Sequence, residues 1–226
     1  MKITFIGGGN MASALIAGLA GKLTAGANIH VVDLNPAALS KLASHYGVTT
    51  AAAVGQEVAA SEVVVLAVKP QQMREVAQAL MPHLAARHPL VMSIAAGIRA
   101  ADLSRWLGGY GAIVRTMPNT PALIGMGITG MVAMDGVGGA QKQAADDIMK
   151  AVGTTVWLDN EGLIDPVTAV SGSGPAYVFY FVEAMQQAAL EMGLSEEQGR
   201  QLAVATFAGA AQLAMHSSEP VSVLRE

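Results

Sequence analysis

Cysteine is absent from the 226 residues, which excludes a disulfide framework, a thiol nucleophile and a cysteine-ligated metal. Its absence fits a cytoplasmic location. Charge is scarce: 13% of residues are charged against roughly 25% in an average globular domain, while 52% are hydrophobic. A chain so short of polar side chains either encloses an unusually large core or buries part of its surface against another subunit, and the second is expected here. The net charge of -4, with no block of like charge, lacks the clustered basic face that nucleic acid requires. No segment reads as membrane-spanning, because the most apolar long stretch, 176–192, carries Glu183, Gln186, Gln187 and Glu191. The opening apolar run is broken by Gly7-Gly8-Gly9-Asn10, so it reads as a strand and a turn rather than a signal peptide. No grouping of side chains suggests a metal site.

The first two-thirds of the sequence alternates short apolar runs with helical patterns. Strands are expected at 3–6, 29–33, 63–68, 90–94 and 112–115, with helices over 11–19, 36–46 and 100–107. Continuous rather than alternating apolar runs imply strands covered on both faces, as in a parallel sheet built from right-handed βαβ units. Residues 156–158 read as the last strand, followed only by helices: one from about 162, one over 175–192 and one over 196–216. Gly193 suits a helix stop, and Ser195 with Gln198 forms a capping box. The expectation is an α/β chain, with a Rossmann-like, doubly wound and mostly parallel domain over 1–160 followed by an all-helical domain over 161–226.

Gly7-Gly8-Gly9-Asn10-Met11-Ala12 reads as G-x-G-x-x-A between a strand and a helix. The first glycine permits a tight turn, the second lets the backbone approach a diphosphate, and the small final residue allows close helix–strand packing. The diphosphate would rest on N–H groups at the helix start. Asp33 ends the second strand about 20 residues further on, where an acid can bond a ribose 2′-hydroxyl or serve as a cap. Leu34 and Asn35 follow it, with no arginine for a 2′-phosphate, so NADP and NAD both stay open on physical grounds. Lys69-Pro70 and Ala95-Ala96-Gly97 each follow a strand, where loops line the ligand crevice of such sheets. Lys69 is placed to meet ribose or phosphate, and the small residues to lie against a nicotinamide.

Five separated segments together resemble pyrroline-5-carboxylate reductase: 5–11, Ala67-Val68-Lys69-Pro70, Ser93-Ile94-Ala95-Ala96-Gly97, Met117-Pro118-Asn119-Thr120-Pro121, and Ser171-Gly172-Ser173-Gly174-Pro175-Ala176-Tyr177. The resemblance covers the whole chain in order. It implies reduction of the cyclic imine 1-pyrroline-5-carboxylate to L-proline with NADP, or NAD, as the nicotinamide cofactor. It implies that Ile6, Gly7, Gly8, Gly9, Asn10 and Met11 hold the diphosphate and that Asn35 lies near the adenine ribose. Ala67, Val68, Lys69 and Pro70, with Ala95, Ala96 and Gly97, would flank the nicotinamide half. Met117, Asn119, Ser171, Gly172 and Pro175 would shape the substrate side, with Ser173 as a hydroxyl donor and Glu161 near the ring nitrogen. It also implies homodimers through helical domains, assembled in some members into rings, which matches the apolar excess.

Two departures stand out. Leu34 occupies a position where many members of the family carry arginine. The chain also stops at Glu226, before the Gly-Gly-Thr-Thr-like loop that in the family binds the substrate carboxylate. Either the sequence is a shortened one or part of the active site is missing, and in the second case cofactor binding with little turnover is expected. The chemistry suits the residue supply. Residues 151–226 contain no lysine and one histidine, His216, so proton transfer to an alcohol oxygen lacks its usual agents. A protonated imine accepts hydride directly and needs chiefly orientation. A 3-hydroxyacid dehydrogenase would need a catalytic lysine in the second domain, and a non-catalytic nucleotide sensor would be expected to have degraded substrate loops.

Overall fold

The computed structural model describes residues 1–226. Its strands are β1 Ile3–Ile6, β2 Ile29–Val32, β3 Thr49–Ala51, β4 Val63–Leu66, β5 Leu90–Ser93, β6 Ile113–Met117, β7 Gly127–Ala133 and β8 Gly153–Trp157. Its helices are α1 Asn10–Leu19, α2 Pro36–Tyr46, α3 Met73–Leu80, α4 Ala100–Trp106, α5 Gly139–Lys150, α6 Ile164–Val167, α7 Gly174–Glu191, α8 Glu196–His216 and α9 Val221–Leu224. The strands form one sheet in the order β3-β2-β1-β4-β5-β6-β7-β8, parallel except where β7 runs antiparallel to β6. The short connection between β6 and β7 permits that reversal, whereas parallel neighbours need a crossover.

The apolar strands are buried on both faces, as their uninterrupted sequence requires. One face packs Phe5, Val31 and Val65 against Leu15 and Ile16 of α1 and Ile148 of α5. The other packs Val64, Leu66 and Val91 against Met73 and Leu80 of α3 and Leu103 of α4. Asn35 caps α2, its side-chain oxygen accepting from the N–H groups of Ala37 and Ala38, and Pro36 fills the first turn.

The structure adds five elements to those expected, the last of them the four-residue α9. Strand β3 is three residues long. Helix α3 buries Met73, Ala77 and Leu80, an i, i+4, i+7 stripe diluted by polar neighbours. Helix α5 buries only four of its residues, Ala145, Asp146, Ile148 and Met149. Strand β7 contains Gly127 and Gly130, which weaken the strand signal; a Cβ on Gly130 would stand 2.8 Å from Val167, so only glycine permits that approach.

The chain divides into two compact units, Met1–Gly172 and Ser173–Glu226, whereas the change from strands to helices in the sequence pattern suggests a boundary at 160. The cause is local: residues 161–172 are fastened to the sheet by Glu161 on Arg115, Val167 against Gly130 and Ser171 on Asn119. The second unit consists of α7, α8 and α9. Gly193 adopts φ +93 at the stop after α7, and the Ser195–Gln198 capping box opens α8. Few of its residues are buried, Ala189, Gly199 and Ala203 among them, while Phe179, Tyr180, Phe181 and Met192 are exposed.

A polar cluster lies at the N-terminal ends of β1 and β2, away from the glycine loop. Thr4 and Ser61 share a buried hydroxyl hydrogen bond. Thr49 donates to the Ile29 carbonyl and so accepts from Nδ1–H of His30, which leaves the buried His30 Nε2 without a partner. Burial holds the His30 imidazole below its ordinary value of 6.5, with the Glu57 carboxylate pulling the other way. The unfolded chain therefore takes up this proton first, so the stabilisation is complete above about pH 6.5 and is lost as pH falls toward the folded value. His30→Gln should flatten the fall in Tm between about pH 7.5 and about pH 5.5. A slope identical to that of the unsubstituted protein would show that other groups carry it.

Candidate nucleotide-binding and reductase site

The site is built where the strand order reverses. Strand β1 lies between β2 and β4, and the crossover to β4 opens a crevice at the carboxyl ends of the strands. Past Ile6 the backbone ladder continues for one step on each side, with the N–H of Gly7 donating to the Val32 carbonyl at 2.7 Å and that of Ala67 to the Ile6 carbonyl at 2.8 Å. Gly7 has φ +105, and a Cβ there would stand 2.6 Å from the Ala67 carbonyl oxygen. Both facts demand glycine.

Gly8 is buried, and its N–H donates to Asp33 Oδ2 at 2.6 Å. Gly9 is exposed, with an ordinary φ of -70 and no atom within 4 Å of where its Cβ would be. The first intrahelical bond of α1 runs from Ser13 N–H to the Gly9 carbonyl, so the N–H groups of Asn10, Met11 and Ala12 precede the helical ladder. Open space before a helix start, reached by a glycine that needs no special conformation, fits a diphosphate.

A cavity of about 290 Å³ adjoins this turn, lined by Ile6, Gly7, Asp33, Leu34 and Val68 among others. A larger hollow of about 590 Å³ lies by α5 and β8, but Asp135, Asp146 and Asp159 line it, which suits no diphosphate. Both Asp33 oxygens accept backbone N–H groups, Oδ2 from Gly8 and Oδ1 from Asn35 at 2.7 Å. Asp33 is thus a cap as well as a candidate ribose partner. Leu34 is 81% exposed, and the Asn35 side-chain oxygen is taken up in capping α2.

The remaining first-unit candidates follow along the same edge of the sheet. Lys69 is exposed at the end of the β4 loop, followed by Pro70. In the β5 loop Ala95 is buried, Ala96 and Gly97 are exposed, and Gly97 has φ +76. After β6, Asn119 joins two segments: its Oδ1 accepts from Ile128 N–H at 3.0 Å, and its Nδ2 donates to the Ser171 carbonyl and hydroxyl at 3.3 and 3.4 Å. Met117 reaches Gly172 so closely that a Cβ there would stand 2.6 Å from its terminal methyl. Glu161 Oε1 accepts from Ala100 N–H at 2.6 Å and from Arg115 at 2.8 Å. Ser173 and Pro175 belong to the other unit, where Ser173 precedes α7 without a side-chain cap bond and Pro175 lies in its first turn. Arg115 was not singled out from sequence, although an arginine inside an apolar strand is a signal, since such residues are almost never buried unpaired.

A parallel sheet with this crevice, this glycine turn and an acid at the end of the neighbouring strand defines a nicotinamide-dinucleotide-dependent oxidoreductase of the Rossmann type. Residues 2–97 match a family model described as NADP oxidoreductase coenzyme F420-dependent, and residues 161–226 match one described as pyrroline-5-carboxylate reductase dimerisation. The pyrroline-5-carboxylate reductase of Pseudomonas aeruginosa is 45% identical over 99% of this chain and 82% of its own length. A solved pyrroline-5-carboxylate reductase from Coxiella burnetii superposes with a TM-score of 0.93 at 40% identity, over 99% of this chain and 83% of that one. The NADP-bound pyrroline carboxylate reductase of Plasmodium falciparum superposes with a TM-score of 0.87 at 29% identity, covering 99% and 82%. The chain belongs to the pyrroline-5-carboxylate reductase family, NAD(P)H-dependent enzymes of proline biosynthesis. The matched dimerisation segment identifies its helical residues as a self-association element, and no helix is long and apolar enough to cross a membrane.

The geometry separates two glycines. Gly7→Ala forces both a clash and a positive φ, and should cost about 1–3 kcal/mol of stability in a denaturant titration. Gly9→Val meets no neighbour, so it should leave Tm unchanged while reducing nucleotide affinity at least tenfold, about 1.4 kcal/mol, by calorimetry. Full affinity in Gly9→Val would place the diphosphate elsewhere.

Proposed function

We propose that this chain reduces 1-pyrroline-5-carboxylate to L-proline, with its nicotinamide cofactor held at the Gly7–Gly9 turn. The observation that carries the reading is that turn, opening onto the start of α1 within a chain 45% identical to a reductase of the family over 99% of its length. The bound cofactor supplies the hydride. The chain's own residues bind and orient: Ile6 to Met11 take the diphosphate, Asn35 the adenine ribose region, Ala67 to Pro70 and Ala95 to Gly97 the nicotinamide half. Met117, Asn119, Ser171, Gly172 and Pro175 shape the imino-acid side, and Ser173 offers a hydroxyl at the start of α7. With no lysine in 151–226, the protein's task is to seat a carboxylate and a protonated imine.

NADP is the proposed cofactor, supported by the description of the model matched at 2–97 and by the NADP in the Plasmodium falciparum relative. NAD is the second reading, favoured by Asp33, whose carboxylate at the end of β2 would repel a 2′-phosphate, and by the absence of arginine from 33 to 41. The functional unit is proposed to be a homodimer through residues 161–226, extended to a ring of dimers, in the cytoplasm. The exposed aromatic residues of α7 and the lack of cysteine support those assignments.

Loss of nicotinamide absorbance from NADPH and from NADH at saturating imine tests the activity and ranks the cofactors. A protein extended through the Gly-Gly-Thr-Thr-like loop that binds the reduced nucleotides yet oxidises neither defeats the reductase reading and leaves a nucleotide sensor. Lys69→Ala should weaken cofactor affinity without lowering Tm; unchanged affinity would return Lys69 to the solvated surface.

A further inference from the structure

The Arg115 guanidinium is 4% exposed in a chain that buries few charges, and one of its nitrogens, Nε, has no hydrogen-bond partner. Its counter-ion comes from far along the sequence. Glu161 Oε1 lies 2.8 Å from Arg115 Nη1, while Asp165, largely exposed, stands 4.0 Å from Nη2. The same Glu161 oxygen accepts the N–H of Ala100, the first residue of α4, at 2.6 Å. One oxygen thus ties together β6, the start of α4 and the turn after β8.

The stretch between β5 and α4 has few other anchors. Ile94 N–H reaches the Leu66 carbonyl at 3.2 Å, and Ala95 N–H makes a long 3.4 Å contact with the Ser93 hydroxyl. Beyond that come Ala96 and Gly97 at φ +76, then Ile98, which packs against the core, and exposed Arg99. Its far end is held by the Glu161 carboxylate, and the carboxylate is held by Arg115.

We propose that Glu161 is a positioning residue, a carboxylate pinned by buried Arg115 that fixes the Ala95–Gly97 turn through Ala100 and so sets the surface on which the nicotinamide ring lies. This rests on the reading that the turn flanks the nicotinamide. Glu161 Oε1 accepts both a guanidinium and a backbone N–H, which fixes the carboxylate in place as an anchor. The role assigned to Glu161 runs through the turn.

The test compares two ligands of the whole chain by calorimetry: NADPH, and 2′,5′-ADP, which lacks the nicotinamide. Glu161→Gln should weaken NADPH about tenfold, the size of one charge-assisted hydrogen bond, and leave 2′,5′-ADP within about twofold. Glu161→Asp, which keeps the charge but reaches less far, should recover part of the loss. Because Glu161→Gln strands a buried cation and lowers Tm, it is paired with Arg115→Met/Glu161→Gln, which removes that cation. The double variant should regain Tm and still discriminate against NADPH. Equal weakening of both ligands in the double variant would reduce Glu161 to a residue of the fold, and unchanged NADPH affinity in either variant would overturn the proposal. A wild-type chain that binds neither of these ligands nor NADH overturns the nucleotide reading itself, and the positioning role falls with it.

Discussion

The contact on which the rest depends is the near-touch of β1 and β4 at Gly7, where the Ala67 carbonyl occupies the space that any Cβ would need. That approach lets the ladder run one residue past the strands on both sides, into Val32 and Ala67. It turns the chain sharply enough for α1 to begin within three residues, with its first N–H groups facing the crevice. A side chain at position 7 would push β4 away, and the loops after β4 and β5 would follow it. The positions proposed for the diphosphate and the nicotinamide are therefore both set by one backbone-to-backbone distance, and both are made almost entirely of main chain and small residues.

The second principle of the site is economy of charge. With 13% charged residues, the protein holds its loops with a few polar side chains that each join segments distant in sequence. Asp33 joins the glycine turn to the start of α2, Asn119 joins the beginning of β7 to Ser171, and Glu161 joins α4 to β6. Part-buried groups of this kind are costly when one partner is lost, because the other is left short of water or counter-ion. Each therefore specifies a loop position more than it adds net stability.

The helical unit follows a different logic. Its long helices bury little within the chain and expose large aromatic and aliphatic side chains, among them Tyr180 at 72% and Met192 at 77%. A monomer rarely leaves so much apolar surface in water. The dimerisation model matched over 161–226 accounts for this surface, and for the low charge content of the whole sequence, by burial against another copy.

Residues alone determined the central parallel strands β1, β2, β4 and β5, because uninterrupted apolar runs suit strands covered on both faces. They also determined α2 and α8 to the residue, because Asn35-Pro36 and Ser195–Gln198 are local caps whose partners lie within one helical turn. The glycine loop and the family were legible for the same reason: their chemistry is written in contiguous segments. What the tertiary structure alone decided is non-local. Strand β7 hides behind glycines that exist to admit Val167, α5 buries too few residues to mark itself, and residues 161–172 belong with the sheet because Arg115, Gly130 and Asn119 hold them there. The pairing of Arg115 with Glu161 spans 46 positions, and no short-range pattern encodes a contact whose only signal is one charge out of place in an apolar strand.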